Sequence, residues 1–241
     1  MIYDLIVIGA GSGGVRSARI ASSHGAKVAI VEGNKFGGTC VNVGCVPKKL
    51  FFYVSQFNKD MENYSSYGWD VGTSKLNWKK FIKKKDNEIN RLNGIYRNIL
   101  TKNKITIIEG YASFLDKNTI KVGKKIIKAK KFIIATGSKP RIAEEFKNYI
   151  HSSDDIFQLH QLPKKMTILG GGYIAIEFAC IFSNLGVEID IIYRGDRILK
   201  DFDKDITERL QEIMKKSKIK IHLNSHIKDI KKIDKNNYEI N

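Results

Sequence analysis

The sequence predicts an α/β protein in which two units share one plan: a strand, a glycine-rich turn, a helix and a second parallel strand. Two stretches carry the prediction. Residues 3–8, YDLIVI, are an apolar β run followed by GAGSGG, the helical pattern VRSARIASSHG and a second apolar run, KVAIVE. The same order returns in KMTILGGGYIAIEFACIFSNLGVEIDIIYR, so the architecture repeats within a chain of 241 residues. A hydrophobic content of 42% supplies enough apolar side chains for packed cores.

The first apolar run reads as a strand and not as a leader. Asp4 interrupts it, no basic segment precedes it, and glycines follow at once. KKLFFYVSQFNKDMENY continues as a helix out of a cysteine-bearing stretch, and a second long helix is expected from about Lys79 to Lys102. Short strands are expected at ITIIEGYASF, NTIKVGK and KFIIATG. The chain then passes through Lys139-Pro140 and the loop HSSDDIFQLHQLPKK, which sets a domain boundary near Pro140, with one domain over 1–139 and another over 140–241. In the second domain strands are expected near 166–170, 188–193 and 219–223. DKDITERLQEIMKKSK reads as an amphipathic helix, and IKDIKKIDKNNYEIN opens a hairpin. The chain stops inside that last strand pattern, so it is expected to be the N-terminal part of a longer protein.

Both glycine turns have the spacing that lets a backbone approach a pyrophosphate. In the first, Gly9 permits the tight turn, Gly11 the close approach, and Gly14 the contact of helix with strand. Ser12 and Gly13 lie at the helix N-terminus, whose N–H groups and positive dipole end favour an anion. Glu32, eighteen residues beyond Gly14, ends the second strand where a ribose hydroxyl needs an acceptor. The second turn repeats with Gly170, Gly172 and Ala175, but eighteen residues past Ala175 stands Tyr193, followed by Arg194, with Lys200 close behind. Loss of the acid and gain of cations suit a ribose 2′-phosphate. The first site is therefore expected to take a non-phosphorylated adenosine and the second NADPH. Arg197, in the same segment, reads equally as a ligand contact or as a solvated charge.

Residues 37–49, GGTCVNVGCVPKK, place Cys40 and Cys45 five positions apart. A structural disulfide closing so short a loop stabilises little, because the loop-closure term grows with length. A metal would require more ligands nearby. The remaining chemistry is a pair that opens and closes. Cys45 and Pro47 begin a helix, whose N-terminus stabilises a thiolate. Three cysteines in all fit a reducing compartment, the cytoplasm. Cys180, on an apolar helix, reads as a structural thiol. Nicotinamide delivers a hydride and a dithiol accepts two electrons, and a flavin can stand between them.

The formal net charge is +17, yet the lysines are scattered and no zinc-finger, RNP or basic-helix pattern accompanies them, so no nucleic-acid partner is expected. No apolar stretch approaches the ~20 residues of a membrane span, so no membrane association is expected either.

GGTCVNVGCVPKK resembles the active-site signature of the flavoprotein disulfide reductases. Together with GGGYIAIEF and YRGDRIL it is similar to the glutathione reductases within that family, over essentially the whole chain. The resemblance implies two Rossmann-like domains of three-layer β/β/α type, FAD on the first and NADPH on an incomplete second. It implies glutathione disulfide as substrate and a homodimer at full length. By the same resemblance Cys40 is the interchange thiol that attacks the substrate, and Cys45 the charge-transfer thiol nearer the flavin. Lys48 would lie near the reactive edge of the flavin, paired with Glu177, and Tyr173 would gate the nicotinamide pocket. Thr39, Thr136 and Gly137 would contact the flavin, and Ser12, Arg19 and Tyr96 the substrate. Helix packing and surface charge are the plainer reading of Tyr173 and Glu177, and a solvated helix face that of Arg16, three residues before Arg19. Cations on that face would suit a substrate bearing carboxylates. Lys200 stands where the family commonly has arginine, which keeps the charge and loses the bidentate fork. A lipoamide dehydrogenase-like reductase would keep an acid near Tyr193. A non-catalytic nucleotide-binding fragment remains an alternative for the chain as it stands. The family's catalytic histidine, beside a glutamate near the C-terminus, has no counterpart here. None of His24, His151, His160, His222 and His226 stands in that context.

Overall fold

A computed structural model of the chain describes residues 2–70, 72, 75–217, 219–234 and 237–241, without the side chains of residues 58 and 62. Lys218, at the end of the expected amphipathic helix, and residues 235–236, in the expected hairpin turn, lie outside them. The chain forms two compact units: Met1–Lys49 with Lys80–Pro140, and Leu50–Lys79 with Arg141–Asn241.

In the first unit β1 (Ile2–Ile8), α1 (Ser12–Ser23) and β2 (Val28–Glu32) form the first repeat. The short helix α2 (Gly38–Val43) follows, then the start of α3 (Cys45–Ser66) and most of α4 (Trp78–Lys102). Strands β3 (Thr106–Glu109), β4 (Ala112–Asp116), β5 (Thr119–Val122) and β6 (Lys125–Ile134) complete it. They make one sheet in the order β3-β2-β1-β6-β5-β4. The first four are parallel, with Ile6 opposite Ala29 on one side and Phe132 on the other. β6 continues past β1 to pair antiparallel with β5, which pairs with β4. ITIIEGYASF, read as one strand from the sequence, is two, because Gly110 turns its N–H to the carbonyl of Glu32 and ends β3 there.

β2 is buried on both faces, so it reads as an uninterrupted apolar run and not as an alternation. Val28 and Ile30 pack with Val7, Val15, Ala18 and Leu100 beneath α1 and α4. Ala29 and Val31 pack with Ile6, Ile120, Ile127 and Ala129 beneath the β4–β6 meander. Each such buried aliphatic side chain contributes roughly 1.5–3 kcal/mol relative to exposure. The result is a layer of helices, a parallel sheet and a layer of meander.

The second unit has α5 (Ser153–Ile156), β7 (Lys165–Leu169), α6 (Tyr173–Asn184), β8 (Glu188–Ile192), α7 (Lys204–Lys215) and β9 (Ile219–His222). β10 (Ile230–Lys232) and β11 (Tyr238–Ile240) form an antiparallel hairpin. β7, β8 and β9 are parallel in that order. The sequence suggests one domain over 1–139, whereas Leu50–Lys79 groups with the second unit. Packing explains this. Phe51 is fully buried and meets Trp78, Phe157 and Phe182 edge-on at centroid distances of 5.4, 5.5 and 6.2 Å. The Trp78 indole N–H donates to the Leu159 carbonyl at 2.7 Å.

Candidate active site

The first glycine turn leaves β1 at Gly9, whose φ of +104° a residue with a Cβ rarely adopts. A Cβ there would also lie 2.3 Å from the Ala135 carbonyl oxygen and 3.2 Å from the Cα of Thr136. The segment after β6, which carries Thr136 and Gly137, therefore sits directly against the turn. A Cβ on Gly14 would come within 1.8 Å of the Gly9 carbonyl oxygen, so α1 and the turn touch backbone to backbone. Gly11 caps α1, and the surface over Gly13 is open, with nothing within 4 Å of where its Cβ would be. Glu32 reaches back to the turn. Its two carboxylate oxygens accept from the backbone N–H of Ala10 at 2.6 Å and of Asn34 at 2.7 Å.

The thiol pair is docked on this turn. The Gly37 N–H donates to the Ala10 carbonyl at 2.8 Å, and a Cβ on Gly38 would meet the Cα of Gly11 at 2.7 Å. Thr39 and Cys40 ride on α2, a helix the sequence pattern did not announce. Gly44 alone separates α2 from α3, and its missing Cβ admits the Thr39 carbonyl and the Cα of Cys40, 2.8 and 3.2 Å from where it would stand. Cys45 opens α3 and is exposed, Pro47 is buried, and Lys48 is half-buried with its N–H on the Gly44 carbonyl at 2.9 Å.

Both thiols are free, and they are hydrogen-bond neighbours. Burial first, and then the hydrogen bond and charge of Cys45, push the Cys40 thiol up to about 11, against a lowering contribution from the Cys45 backbone N–H. Cys40 therefore keeps its proton well above neutral pH. Burial likewise raises Cys180 on α6, with Lys59 acting in the opposite direction. That is the behaviour of a packed thiol.

Ser12, Arg16 and Arg19 are exposed on α1, while Tyr96 on α4 is half-buried against the cluster that α1 and α4 share. Sequence reasoning missed what fixes α2. Asn93 on α4 donates to the Phe36 carbonyl and to Asn42, each at 3.0 Å, and Asn42 donates to the Phe36 and Gly38 carbonyls. The Arg97 guanidinium lies 4.9 Å from the Phe36 ring centre and pairs with Glu109. No local signal marks Asn93, because its partners Phe36 and Asn42 lie more than fifty positions away.

In the second unit Gly172 caps α6, Tyr173 at its first turn is exposed, and Ala175 and Glu177 are half-buried. The Tyr193 ring folds onto the turn, where a Cβ on Gly171 or on Gly195 would lie 2.5 Å from it. Arg194 and Lys200 are exposed, and their side chains make no hydrogen bond or ion pair among the described residues. Arg197 is turned inward instead. It donates to the Lys200 carbonyl at 2.8 Å, the Thr207 hydroxyl at 3.0 Å and the Phe202 carbonyl at 3.4 Å. Among the described residues no group of three His, Cys, Asp or Glu could hold a metal ion, and no helix is long and apolar enough to cross a membrane.

Known proteins are similar to this chain in sequence and fold. The glutathione reductase of Burkholderia cepacia is 44% identical over 222 residues, 92% of this chain and 49% of that protein. The glutathione reductase of Nostoc sp. is 46% identical over 221 residues, 91% of this chain and 48% of that protein. The chain thus spans about half the length of these curated relatives. Among solved structures, the HOCl-induced flavoprotein disulfide reductase RclA from Escherichia coli superposes with a TM-score of 0.86 at 26% identity, over 99% of this chain and 53% of that one. The pattern of the pyridine nucleotide-disulphide oxidoreductases matches residues 3–240. Two glycine turns with a dithiol seated on the first, matched from end to end, make this chain a member of the pyridine nucleotide-disulphide oxidoreductase family.

Proposed function

We propose that the chain is the nucleotide-binding half of an NADPH-dependent, FAD-containing glutathione-disulfide reductase that works in the cytoplasm as a homodimer when full length. The observation that carries this reading is the seating of the dithiol segment on the first glycine turn, through the Gly37–Ala10 hydrogen bond and the Gly38–Gly11 contact. Two relatives named glutathione reductase support the substrate.

The residues present fit the two cofactors. Around the first turn, Gly9, Gly11, Ser12, Gly13 and Gly14 leave an open, donor-rich surface for a pyrophosphate, flanked by Thr39, Thr136 and Gly137. Glu32 has lone pairs beyond its two backbone bonds for a ribose hydroxyl. Around the second, Gly170, Gly172, Tyr173 and Ala175 form the turn, and Arg194 and Lys200 offer cations to a 2′-phosphate. Flavin, when bound, links a two-electron hydride donor to the dithiol. Lys48 would serve at its reactive edge.

Cys40 does the exchange chemistry. A base removes the Sγ proton, and the sulfur attacks one sulfur of glutathione disulfide. The substrate S–S bond breaks, one glutathione leaves as thiolate and takes up a proton, and a Cys40–glutathione disulfide forms. Cys45 then attacks the Cys40 sulfur and releases the second glutathione, leaving the Cys40–Cys45 disulfide. Burial and Cys45 hold the Cys40 proton, and the base that removes it would come from the partner subunit of the homodimer. Arg19, with Ser12 and Tyr96, would meet the substrate.

Glutathione redox buffers followed by peptide mapping test the reading. An intramolecular Cys40–Cys45 disulfide should form in the wild type, and a glutathione adduct on Cys40 in Cys45→Ser, with Cys180 unmodified in both. Separate adducts on Cys40 and Cys45 without a disulfide between them would refute it.

A further inference from the structure

We propose that Arg197 is the positioning residue of the loop that selects the 2′-phosphate. It would hold Arg194 and Lys200 in place without touching the nucleotide. The inference rests on the reading of those two cations given above. Residues 193–203 run from the end of β8 to the cap of α7 and are tied down at short intervals. The Ser225 N–H donates to the Tyr193 carbonyl at 3.1 Å, and the Asn224 N–H to the Gly195 carbonyl at 3.0 Å. Ile198 is fully buried. The Leu199 N–H donates to the Gly171 carbonyl at 2.7 Å, which ties the loop to the glycine turn itself. Leu199 adopts a φ of +50°, a strained conformation for a side chain with a Cβ, and persists there only because its surroundings enforce it.

The Arg197 side chain gathers the far end of this loop. Its planar fork spans the Lys200 and Phe202 carbonyls and the hydroxyl of Thr207, a fully buried residue in the first turn of α7. With its fork committed to three acceptors, Arg197 is a poor candidate for the phosphate ligand. Arg194 and Lys200, on either side of it, remain exposed. Holding their backbone in advance lowers the ordering cost of binding and raises affinity without adding a contact.

Calorimetric titration of the 241-residue protein with adenosine 2′,5′-bisphosphate and with 5′-AMP reads the effect of the 2′-phosphate alone. Arg197→Ala should weaken the bisphosphate by about five- to tenfold and 5′-AMP by less than twofold, from the ordering cost of two long side chains. Thr207→Val, which removes one acceptor and keeps the buried volume, should give a smaller loss of the same selectivity, with melting temperature recorded for both variants. Equal weakening of both nucleotides, or unchanged bisphosphate affinity in both variants, overturns the positioning role. Arg194→Ala separates the two levels. If it loses the bisphosphate preference while Arg197→Ala does not, the cation reading stands and this inference falls. If it keeps the preference, both fall.

Discussion

Cys40 holds its proton in the reduced protein, and the consequence is measurable. Its thiol is pushed up from 9.0 to about 11, by burial first and by its hydrogen bond and charge interaction with Cys45 second. At pH 8 a thiol titrating at 11 is about 0.1% ionised against roughly 10% for one at 9, so alkylation by iodoacetamide, which needs the thiolate, slows about a hundredfold. Cys45→Ala removes the second cause and leaves burial in place. Cys40 should then react faster than in the wild type yet slower than a free thiol. The assay is pulse alkylation of the reduced protein between pH 7 and 11, with peptide mapping to separate Cys40, Cys45 and Cys180. Wild-type Cys40 should show its rise in rate above pH 10, and Cys45→Ala should move that rise to lower pH. A Cys40 rate that already matches a free thiol at pH 8, or a profile unmoved by Cys45→Ala, would refute the coupling. Under the proposed function that proton must be removed before Cys40 can attack a disulfide. No NADPH-dependent reduction of glutathione disulfide is expected from residues 1–241 with added FAD.

Two stability predictions follow from other parts of the molecule. Asp190 is buried, and although burial raises its carboxyl, hydrogen bonds from Lys165 at 2.7 Å and His222 at 3.0 Å outweigh that and hold it below the usual 3.8. A lowered folded value adds stability above the unfolded value that is lost as pH falls through the folded one. Asp190→Asn should therefore cost about 1–3 kcal/mol near pH 7, with the difference from wild type shrinking in thermal melts only as pH falls below the usual carboxylate value of 3.8; a constant difference across pH would refute the ion-pair account. Gly14→Ala forces a methyl to within 1.8 Å of a backbone oxygen that cannot rotate away, so it should cost about 3 kcal/mol or more in urea unfolding, whereas Gly13→Ala, with open space, should be neutral or slightly stabilising. Equal effects of the two substitutions would contradict the close approach.

What the sequence disclosed is what short-range physics controls. The apolar runs of β1, β2, β7 and β8 and the glycine spacings are legible because the positive φ of Gly9 and the contact of Gly14 with the Gly9 carbonyl arise within the turn itself, whereas the contact of Gly9 with Ala135 is not announced locally. Helix α2 is not legible in the same way. It is six residues long and is held by Asn42 and by Asn93, fifty-one positions further on, so no periodicity announces it. The grouping of Leu50–Lys79 with the second unit is hidden for the same reason. Phe51 finds Phe157 and Phe182 only after the chain has folded, and a helix pattern does not reveal which sheet its aromatic side will join. Arg197 shows the limit for charges. Exposed and inward-turned arginines have the same sequence context, and only the acceptors at Lys200, Phe202 and Thr207 tell them apart.

Under the proposed function the two strand ends would separate the two nucleotides. Both repeats deliver a side chain from the end of the second strand back onto the glycine turn. At β2 it is Glu32, whose oxygens bind the Ala10 and Asn34 amides and so keep a negative charge beside the turn. A ribose hydroxyl can donate to that charge, but a 2′-phosphate would be repelled by it, and the penalty grows as water is displaced. Just past the end of β8 the corresponding place is filled by the Tyr193 ring, which covers Gly171 and Gly195 without charge. A neutral ring removes the repulsion, and Arg194 and Lys200 beside it supply the attraction. Selectivity for the phosphorylated ribose therefore needs both changes. It follows that Tyr193→Glu, with Arg194 and Lys200 intact, should weaken adenosine 2′,5′-bisphosphate relative to 5′-AMP, by roughly the tenfold that one like charge imposes at an exposed site. Unchanged relative affinity of the two nucleotides in that variant would show that the cations alone decide, and that the ring only fills space.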